Sequence, residues 1–173
     1  GEKIHVEITT HPVSIEGKKM VLGIARDISK RKESDIYFHK LLDLVADPVV
    51  ISNRRGEFIE VNQATERETG YDREEIIGTN IMKSKLIPKK SKAKILKNLA
   101  KRLAGKKVKP YEIKIVTKKG KKVPCEINAT KIKYLGNKLD MAIIRNISER
   151  KRAERMIHES RENLRMTLHS IGD

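Results

Sequence analysis

Two stretches of this chain, near its two ends, carry closely similar sequences. Shifting the sequence by 119 positions aligns residues 1–32, without a gap, with residues 120–151. Both copies alternate apolar and polar residues through two segments joined by a turn that contains glycine, and a basic helical stretch follows. We therefore expect residues 1–29 to be the last two strands of a domain whose earlier part is missing. The twelve identical positions, numbered in the second copy, are Gly120, Lys122, Glu126, Ile127, Gly136, Lys138, Ile143, Arg145, Ile147, Ser148, Arg150 and Lys151.

A complete unit is predicted over residues 47–148, which include the second copy. Two short apolar runs around an Arg-Arg-Gly turn are typical of a hairpin. Capping signals at Asn62 and Asp72 each begin a short helix, and a longer helix follows with apolar residues on one face and lysines on the other. The predicted strands are 48–52, 58–62, 111–117, 122–134 and 139–147, and the longer helix is 89–104. This order predicts an α+β fold, a five-stranded antiparallel sheet with short helices and one longer helix on one face, plus flanking connector helices.

The middle of this unit reads NQATERETGYDREEIIGTN, and its motifs resemble those of the PAS family of sensory domains. The matching pieces are the Asn62 and Ala64 pair, TGY at 69–71, EEIIG at 74–78, the Gly120 turn and the ending NISERKRAE. The resemblance covers nearly the whole chain once the repeated ending is included. It implies a small domain that binds a ligand, a cofactor or only a partner, and that passes strain to an output domain through its last strand.

The resemblance also implies which residues transmit the signal. They lie where the last strand of each copy meets its connector, and on the second connector: Arg26, Asp27, Ile28, Arg145, Asn146, Ile147, Ile157 and Leu164. In many family members an aspartate ends the last strand and helps to fasten the sheet to the connector. The first copy has this acid, Asp27, whereas Asn146 in the second copy has no charge for an ion pair. A histidine kinase is the common output domain of the family.

The two connectors differ in length by seven residues. From Ile28 to Asp47 is 19 residues, and from Ile147 to Asp173 is 26. Seven residues add about 10 Å to a helix and return its face to within about 20°, so the rotational phase is kept. In the second connector Ala153, Ile157, Ser160, Leu164, Thr167 and Ile171 recur at alternating spacings of four and three.

This spacing favours a weak seam between two helices, and hence a homodimer through the connectors. The alternative is a single solvated helix packed on its own domain. We assign residues 30–46 and 149–168 to the helical connectors. Residues 169–173 are assigned to the start of a further PAS-like unit.

A space between the sheet and the long helix would have an aliphatic lining. Strand and helix periodicity assigns to it Ile95, Leu99, Ile113, Cys125, Ile127, Met141 and Ile143. Such a lining favours a small apolar ligand or plain packing, and the sequence leaves both open. Haem-binding members of the family have a histidine on the long helix, and the flavin photoreceptors carry an Asn-Cys-Arg motif. Neither feature is present in this sequence, so we expect neither haem nor flavin, and the cofactor stays unassigned.

The net charge of +16 comes from one window of the chain. Residues 83–122 contain 17 lysines and arginines and a single acid, Glu112. This window could dock nucleic acid or an acidic partner protein, or its lysines could simply be solvated. Nucleic-acid surfaces usually add arginine and stacking aromatic residues, and here Arg102 and Tyr111 are the only ones. We therefore do not favour a nucleic-acid partner.

No catalytic site is predicted in this segment. His158 begins a His-Glu-Ser-Arg stretch that resembles a kinase phosphoacceptor, but the Thr-Pro expected after it is absent. No phosphate-binding glycine loop or nucleophile elbow is present either. The single cysteine, Cys125, cannot form an internal disulfide or supply a thiol pair to zinc. No run approaches the roughly 18 apolar residues of a membrane span. We expect a cytoplasmic chain that is not an enzyme, has no metal site and does not insert into a membrane.

Overall fold

The computed structural model describes residues 4–134 and 136–171, with side chains up to residue 166. It divides into two units, the first ending at Leu44 and the second beginning at Val45. The first unit contains β1 (Val6–Ile15), β2 (Lys18–Asp27) and α1 (Ser29–Asp43). β1 and β2 form an antiparallel pair joined by a two-residue turn, in which Glu16 and Gly17 have φ of 51° and 79°. Positive φ at both positions suits the right-handed twist of the two strands.

The second unit is built on a five-stranded antiparallel sheet. Its strands are β3 (Val49–Ser52), β4 (Phe58–Val61), β5 (Tyr111–Val116), β6 (Lys122–Tyr134) and β7 (Asn137–Asn146). Their order across the sheet is β4-β3-β7-β6-β5. The first and last pairs of the unit therefore meet in the middle, where β3 pairs with β7. The predicted α+β class and the five-stranded antiparallel sheet are confirmed.

Three helices lie between the fourth and fifth strands of the chain, and one follows the sheet. They are α2 (Gln63–Thr69), α3 (Arg73–Ile76), α4 (Lys89–Leu103) and α5 (Ser148–Ile171). Side chains of α3 and α4 pack with the sheet into one apolar core. Ile76, Ile95 and Leu99 from the helices are buried with Val50, Ile113 and other sheet residues. The core is aliphatic, as expected from a chain with two phenylalanines and no tryptophan.

Asn62 holds the start of this unit together. Its Oδ1 accepts hydrogen bonds from the Val49 and Thr65 backbone N–H groups at 2.8 and 3.1 Å. Its Nδ2 donates to the carbonyl oxygens of Val45 and Asp47, both at 3.1 Å. The side chain is 1% exposed, so each bond replaces water that cannot reach it. Asn62 therefore caps α2 and ties the chain entering the unit to β3.

The face of β7 that lies inside is opposite to the predicted one. Asp140, Ala142 and Ile144 face the core side of the sheet, and strand alternation places Met141 and Ile143 on the other face. The assignment of Met141 and Ile143 to the interior was therefore wrong. Both alternating sets contain apolar residues, and the single acid in one set made it look like the solvent face.

Candidate functional site

A small cavity lies between the sheet and α4. Its volume is about 50 Å³, and its wall is mostly aliphatic. Four of the predicted lining residues, Ile95, Leu99, Ile113 and Ile127, surround it. The remaining apolar lining residues are Val50, Phe58, Ile81, Leu86, Ile87, Ile115, Ala142 and Ile144.

Cys125, also predicted for this lining, is buried in the core cluster beside the cavity. Its thiol lies 3.7 Å from the Val123 carbonyl oxygen, within reach of a weak S–H hydrogen bond. Burial raises the pKa of the Cys125 thiol to about 12. The thiol is therefore protonated near neutral pH, which suits a packed side chain better than a nucleophile or a metal ligand.

One end of the cavity is polar. Ser52, Arg102, Tyr111 and Asp140 line this end. Arg102, on α4, and Asp140, on β7, form a bidentate ion pair with distances of 2.7 Å from Nε to Oδ1 and 2.6 Å from Nη2 to Oδ2. Their side chains are 5% and 4% exposed. Burial disfavours the charged guanidinium, but the Asp140 carboxylate more than offsets this and the pKa of Arg102 is raised.

Two polar atoms at this end have no hydrogen-bond partner within the part of the chain that the structure describes. They are Nη1 of Arg102 and the phenol oxygen of Tyr111. Burial raises the pKa of Tyr111, while the nearby guanidinium of Arg102 opposes the shift. The phenol is therefore a neutral donor that lies close to a second, cationic donor.

The sequence contains a signal for this polar end, although neither charged residue was predicted to line the cavity. Arg102 is the one arginine of a lysine-rich helix, and it follows Ile95 and Leu99 at spacings of seven and three. These spacings place it on the apolar face of α4. Asp140 is likewise the only acid in the strand 137–146. An arginine and an acid that each break an apolar face are candidates for a buried pair.

A second functional region is the junction between β7 and α5. The Oδ1 of Asn146 accepts a hydrogen bond from the Ser148 backbone N–H at 2.9 Å. At the equivalent place in the first unit, Oδ1 of Asp27 accepts from the Ser29 backbone N–H at 2.8 Å. Amide and carboxylate thus bond in the same way to the first residue of the following helix. This hydrogen bond needs an oxygen acceptor but no charge, so Asn146 can replace the aspartate.

The backbone repeats at the two junctions as well. The Ile147 N–H donates to the Pro124 carbonyl oxygen at 3.0 Å, and the Ile28 N–H donates to the His5 carbonyl oxygen at 2.8 Å. The equivalent arginines, Arg26 and Arg145, are both exposed. Arg145 lies 3.3 Å from an Asp47 carboxylate oxygen, which joins the end of β7 to the chain entering the unit.

Ion pairs connect the first turn of α5 to the sheet. Arg150 approaches Glu112 of β5 at 3.1 Å and Glu126 of β6 at 3.5 Å. Lys151 approaches Glu112 at 2.8 Å. Lys151 and then Arg150 hold the pKa of Glu112 below its ordinary value, although burial opposes the shift. Glu112, the one acid of the basic window, therefore serves as an anchor for α5.

The apolar residues predicted to transmit the signal lie along α5. Ile157 and Leu164 are 55% and 60% exposed. Thr167 and Ile171, the last members of the predicted seam, lie outside the described side chains. The backbone of α5 continues to Ile171, beyond the predicted connector end at 168, and residues 172–173 lie outside the described residues.

The basic window lies mostly at the surface of the second unit. All but one of its 17 lysines and arginines are lysines, and nearly all of these are exposed. Arg102 and the phenol oxygen of Tyr111 are instead buried at the cavity. The two residues that would have suited nucleic-acid recognition therefore do not belong to this surface.

Metal-binding and membrane-spanning features are both absent from the described ranges 4–134 and 136–171. No group of three or more His, Cys, Asp and Glu side chains there could hold a metal ion. None of the described helices combines the length and apolar character needed to cross a membrane. His158 is exposed and pairs along α5 with Glu162, with 3.3 Å between Nε2 and Oε1.

Comparisons with known proteins agree with this geometry. The model of the PAS domain family matches residues 46–149. The methyl sulfide methyltransferase-associated sensor of Methanosarcina acetivorans is 33% identical over 125 residues, which are 71% of this chain and 12% of that protein. The chain thus spans about one eighth of the length of this curated relative.

Solved structures show the same fold. The PAS domain of an HTR-like protein from Haloarcula marismortui superposes with a TM-score of 0.55 and 22% identity, covering 68% of this chain and 95% of that one. The PAS domain of a Desulfitobacterium hafniense protein has a TM-score of 0.54 and 26% identity, covering 62% and 98%. Since the family model matches more than half of the chain, this protein belongs to the PAS domain family.

Proposed function

We propose that this chain is a sensory and dimerisation input module of a cytoplasmic signalling protein whose output domain is a histidine kinase. A ligand or partner shifts the sheet of the second unit, and the shift reaches the output through α5. The segment itself performs no catalysis and acts by regulation. The Methanosarcina acetivorans relative is named a sensor, which supports the sensory part of this function.

The observation that carries the proposal is the continuity between the cavity and α5. Asp140, Ala142 and Ile144 of β7 lie at the cavity, and the same strand ends at Asn146. Only Ile147, which is 3% exposed, separates that strand from α5. A displacement of β7 by a bound molecule therefore has one buried residue through which to reach the helix.

The ion pairs of Arg150 and Lys151 give the sheet a second hold on α5. They join the helix to β5 and β6, the two strands beyond β7 in the sheet. These side chains are partly or largely exposed, so solvent screening keeps each pair weak. Weak contacts suit a switch, because an equilibrium responds to a ligand only when its two states are close in free energy.

In the dimer, α5 pairs with α5 of a second copy. Ile157 and Leu164 are seven residues apart and therefore share a helix face, and both are more than half exposed. Ala153 and Ser160 occupy the intervening seam positions, and their small size makes the pairing weak. In the same proposal, residues 1–29 end a preceding PAS domain and residues 169–173 begin a further unit.

Insertions into α5 test this function. In the parent protein, one variant duplicates residues 153–159 directly after residue 159, and the other duplicates residues 153–157 after residue 157. The seven-residue insertion returns the downstream helix face to within about 20°, whereas the five-residue insertion turns it by about 140°. We expect the first variant to keep signal-dependent kinase output and the second to lose or invert it.

Equal output from the two insertion variants would contradict transmission by helix phase. Ile157→Ser with Leu164→Ser is a separate test of pairing, read as the dissociation constant of the dimer from sedimentation. We expect these changes to weaken the dimer at least tenfold. Glu159→Gln, an exposed change on the same helix, is the matched control.

A further inference from the structure

The polar end of the cavity presents donors without acceptors. Arg102 Nη1 and the Tyr111 phenol oxygen are buried and have no partner among the described residues. The other guanidinium nitrogens near Asp140 are engaged, since Nε and Nη2 both bond to its carboxylate. An unpaired buried donor is costly, and native structures usually satisfy such groups with protein, water or ligand. The geometry therefore points to an acceptor atom placed between Arg102 and Tyr111.

The charge of the site selects a neutral molecule. Arg102 and Asp140 compensate each other, so the pair adds no net charge to the cavity. A carboxylate or an ammonium group bound there would bring an uncompensated charge into an aliphatic wall, which is strongly unfavourable. A carbonyl or amide oxygen instead accepts a hydrogen bond without carrying a charge.

The volume limits the size of the molecule. A cavity of about 150 Å³ holds benzene, and a single water needs roughly 10–15 Å³. The present cavity of about 50 Å³ lies between these limits and fits about three to five non-hydrogen atoms. A molecule of this size reaches a dissociation constant of tens of micromolar at best. Ile113 and Leu99 are placed to contact its apolar part.

The internal repeat shows that this chemistry belongs to one copy only. The position of Asp140 in the second copy corresponds to Val21 in the first, at the offset of 119 residues. The rest of the junction, including Arg145 and Ile147, is identical to Arg26 and Ile28. An acid at this position is therefore not required to make the hairpin or its connector, which leaves the pairing with Arg102 as its role.

We propose that the cavity binds a small neutral organic molecule with one hydrogen-bond acceptor, of the ketone or carboxamide class, held by Arg102 and Tyr111. This rests on the proposed sensory function and names the chemical class of its ligand. The Arg102 and Asp140 pair acts by orienting Nη1 toward the acceptor, so Asp140 is a positioning residue.

Acetone and acetamide are the probes that test this site, each with an isosteric control. Isobutene matches acetone in shape but has no acceptor oxygen, and acetate matches acetamide but carries a charge. Each probe is titrated into the 173-residue chain, and the backbone amide shifts of Ile113 and Ala142 are followed by NMR. We expect saturable shifts with acetone and acetamide, and binding at least tenfold weaker with isobutene and acetate.

Three variants assign the contacts. Tyr111→Phe keeps the ring and removes the donor, and we expect acetone to bind about tenfold more weakly, as for the loss of one hydrogen bond. Tyr37→Phe, at an exposed tyrosine of the first unit, should leave binding unchanged. The double variant Arg102→Met with Asp140→Val removes the donor and the acid together and should abolish saturation. The unchanged dispersion of the remaining amide signals verifies that each variant is folded.

Several outcomes would overturn the proposal. Isobutene binding as tightly as acetone would mean that the cavity selects by shape alone. Tighter binding of acetate than of acetamide would refute the neutral ligand, and linear shifts with every probe would mean that only water enters. If the probes fail while the five-residue insertion still alters output, the ligand assignment falls and the sensory function stands.

Discussion

Arg102 and Asp140 join α4 to β7 through a bidentate ion pair whose side chains are 5% and 4% exposed. The two residues are 38 positions apart, and each lies on an otherwise apolar face. The pair determines which face of β7 is inside, because a buried carboxylate needs its partner. It also supplies the polar end of the cavity.

Removing one member of this pair should be much worse than removing both. We expect Asp140→Val alone to lower the free energy of unfolding by about 3–5 kcal/mol, because it leaves the buried guanidinium unpaired. Arg102→Met with Asp140→Val should recover most of the loss, since two apolar side chains can pack in the same place. Urea denaturation of the two variants measures the difference. A double variant no more stable than the single one would contradict this interpretation.

Tyr111→Phe should not destabilise the ligand-free protein. The phenol oxygen is buried without a protein partner, so the substitution removes a polar group that makes no described hydrogen bond. We expect the free energy of unfolding to stay the same or rise by up to about 1 kcal/mol. Thermal unfolding beside Tyr37→Phe is the measurement. A loss of more than about 1 kcal/mol would show that the hydroxyl has a stabilising partner in solution.

The stability of the second unit should fall on acidification, partly through Glu112. Because the pKa of Glu112 is lowered in the folded protein, its contribution is complete above its ordinary pKa of 4.5 and is lost as the pH falls through the folded value. Glu112→Gln should therefore reduce the loss of stability below pH 4.5. Urea midpoints between about pH 6 and pH 3 measure this, with Glu159→Gln as control. Parallel curves for wild type and Glu112→Gln would refute the anchor.

Cys125 should be unreactive until the protein unfolds. Burial raises its pKa to about 12 from an ordinary value of 9.0, so the thiolate fraction at a given neutral pH falls about a thousandfold. We expect iodoacetamide to modify the native chain at least a hundredfold more slowly than the urea-unfolded chain at about pH 8. Mass spectrometry of timed samples measures the rates. Comparable rates in the two states would place the thiol at the surface.

Short-range features of the second unit were predictable. Asn62 caps α2, and Gly70 ends it with φ of 74°, as the sequence predicted. Asp72 and Glu75 form the predicted capping box. Each of these contacts joins residues a few positions apart, so the local sequence contains all of the atoms involved. The long helix, predicted at 89–104, is observed at Lys89–Leu103.

The inward faces of β5 and β6 were also predictable, whereas that of β7 was not. In β5 and β6 only one alternating set is apolar, and Ile113 and Ile127 accordingly line the cavity. In β7 both sets contain apolar residues, so alternation alone could not select between Met141 and Ala142. The charge of Asp140 favoured the wrong choice, because its partner lies on a different element.

By itself, the sequence determined the order of the elements, the helix ends, the repeated hairpin and the family. All of these depend on spacing along the chain, which is readable without coordinates. Only the tertiary structure decided that Arg102 and Asp140 meet, that Glu112 anchors α5, and that the cavity has a polar end. These depend on distances between residues far apart in sequence, and the free energy of a buried charge is set by whichever side chain the fold brings beside it.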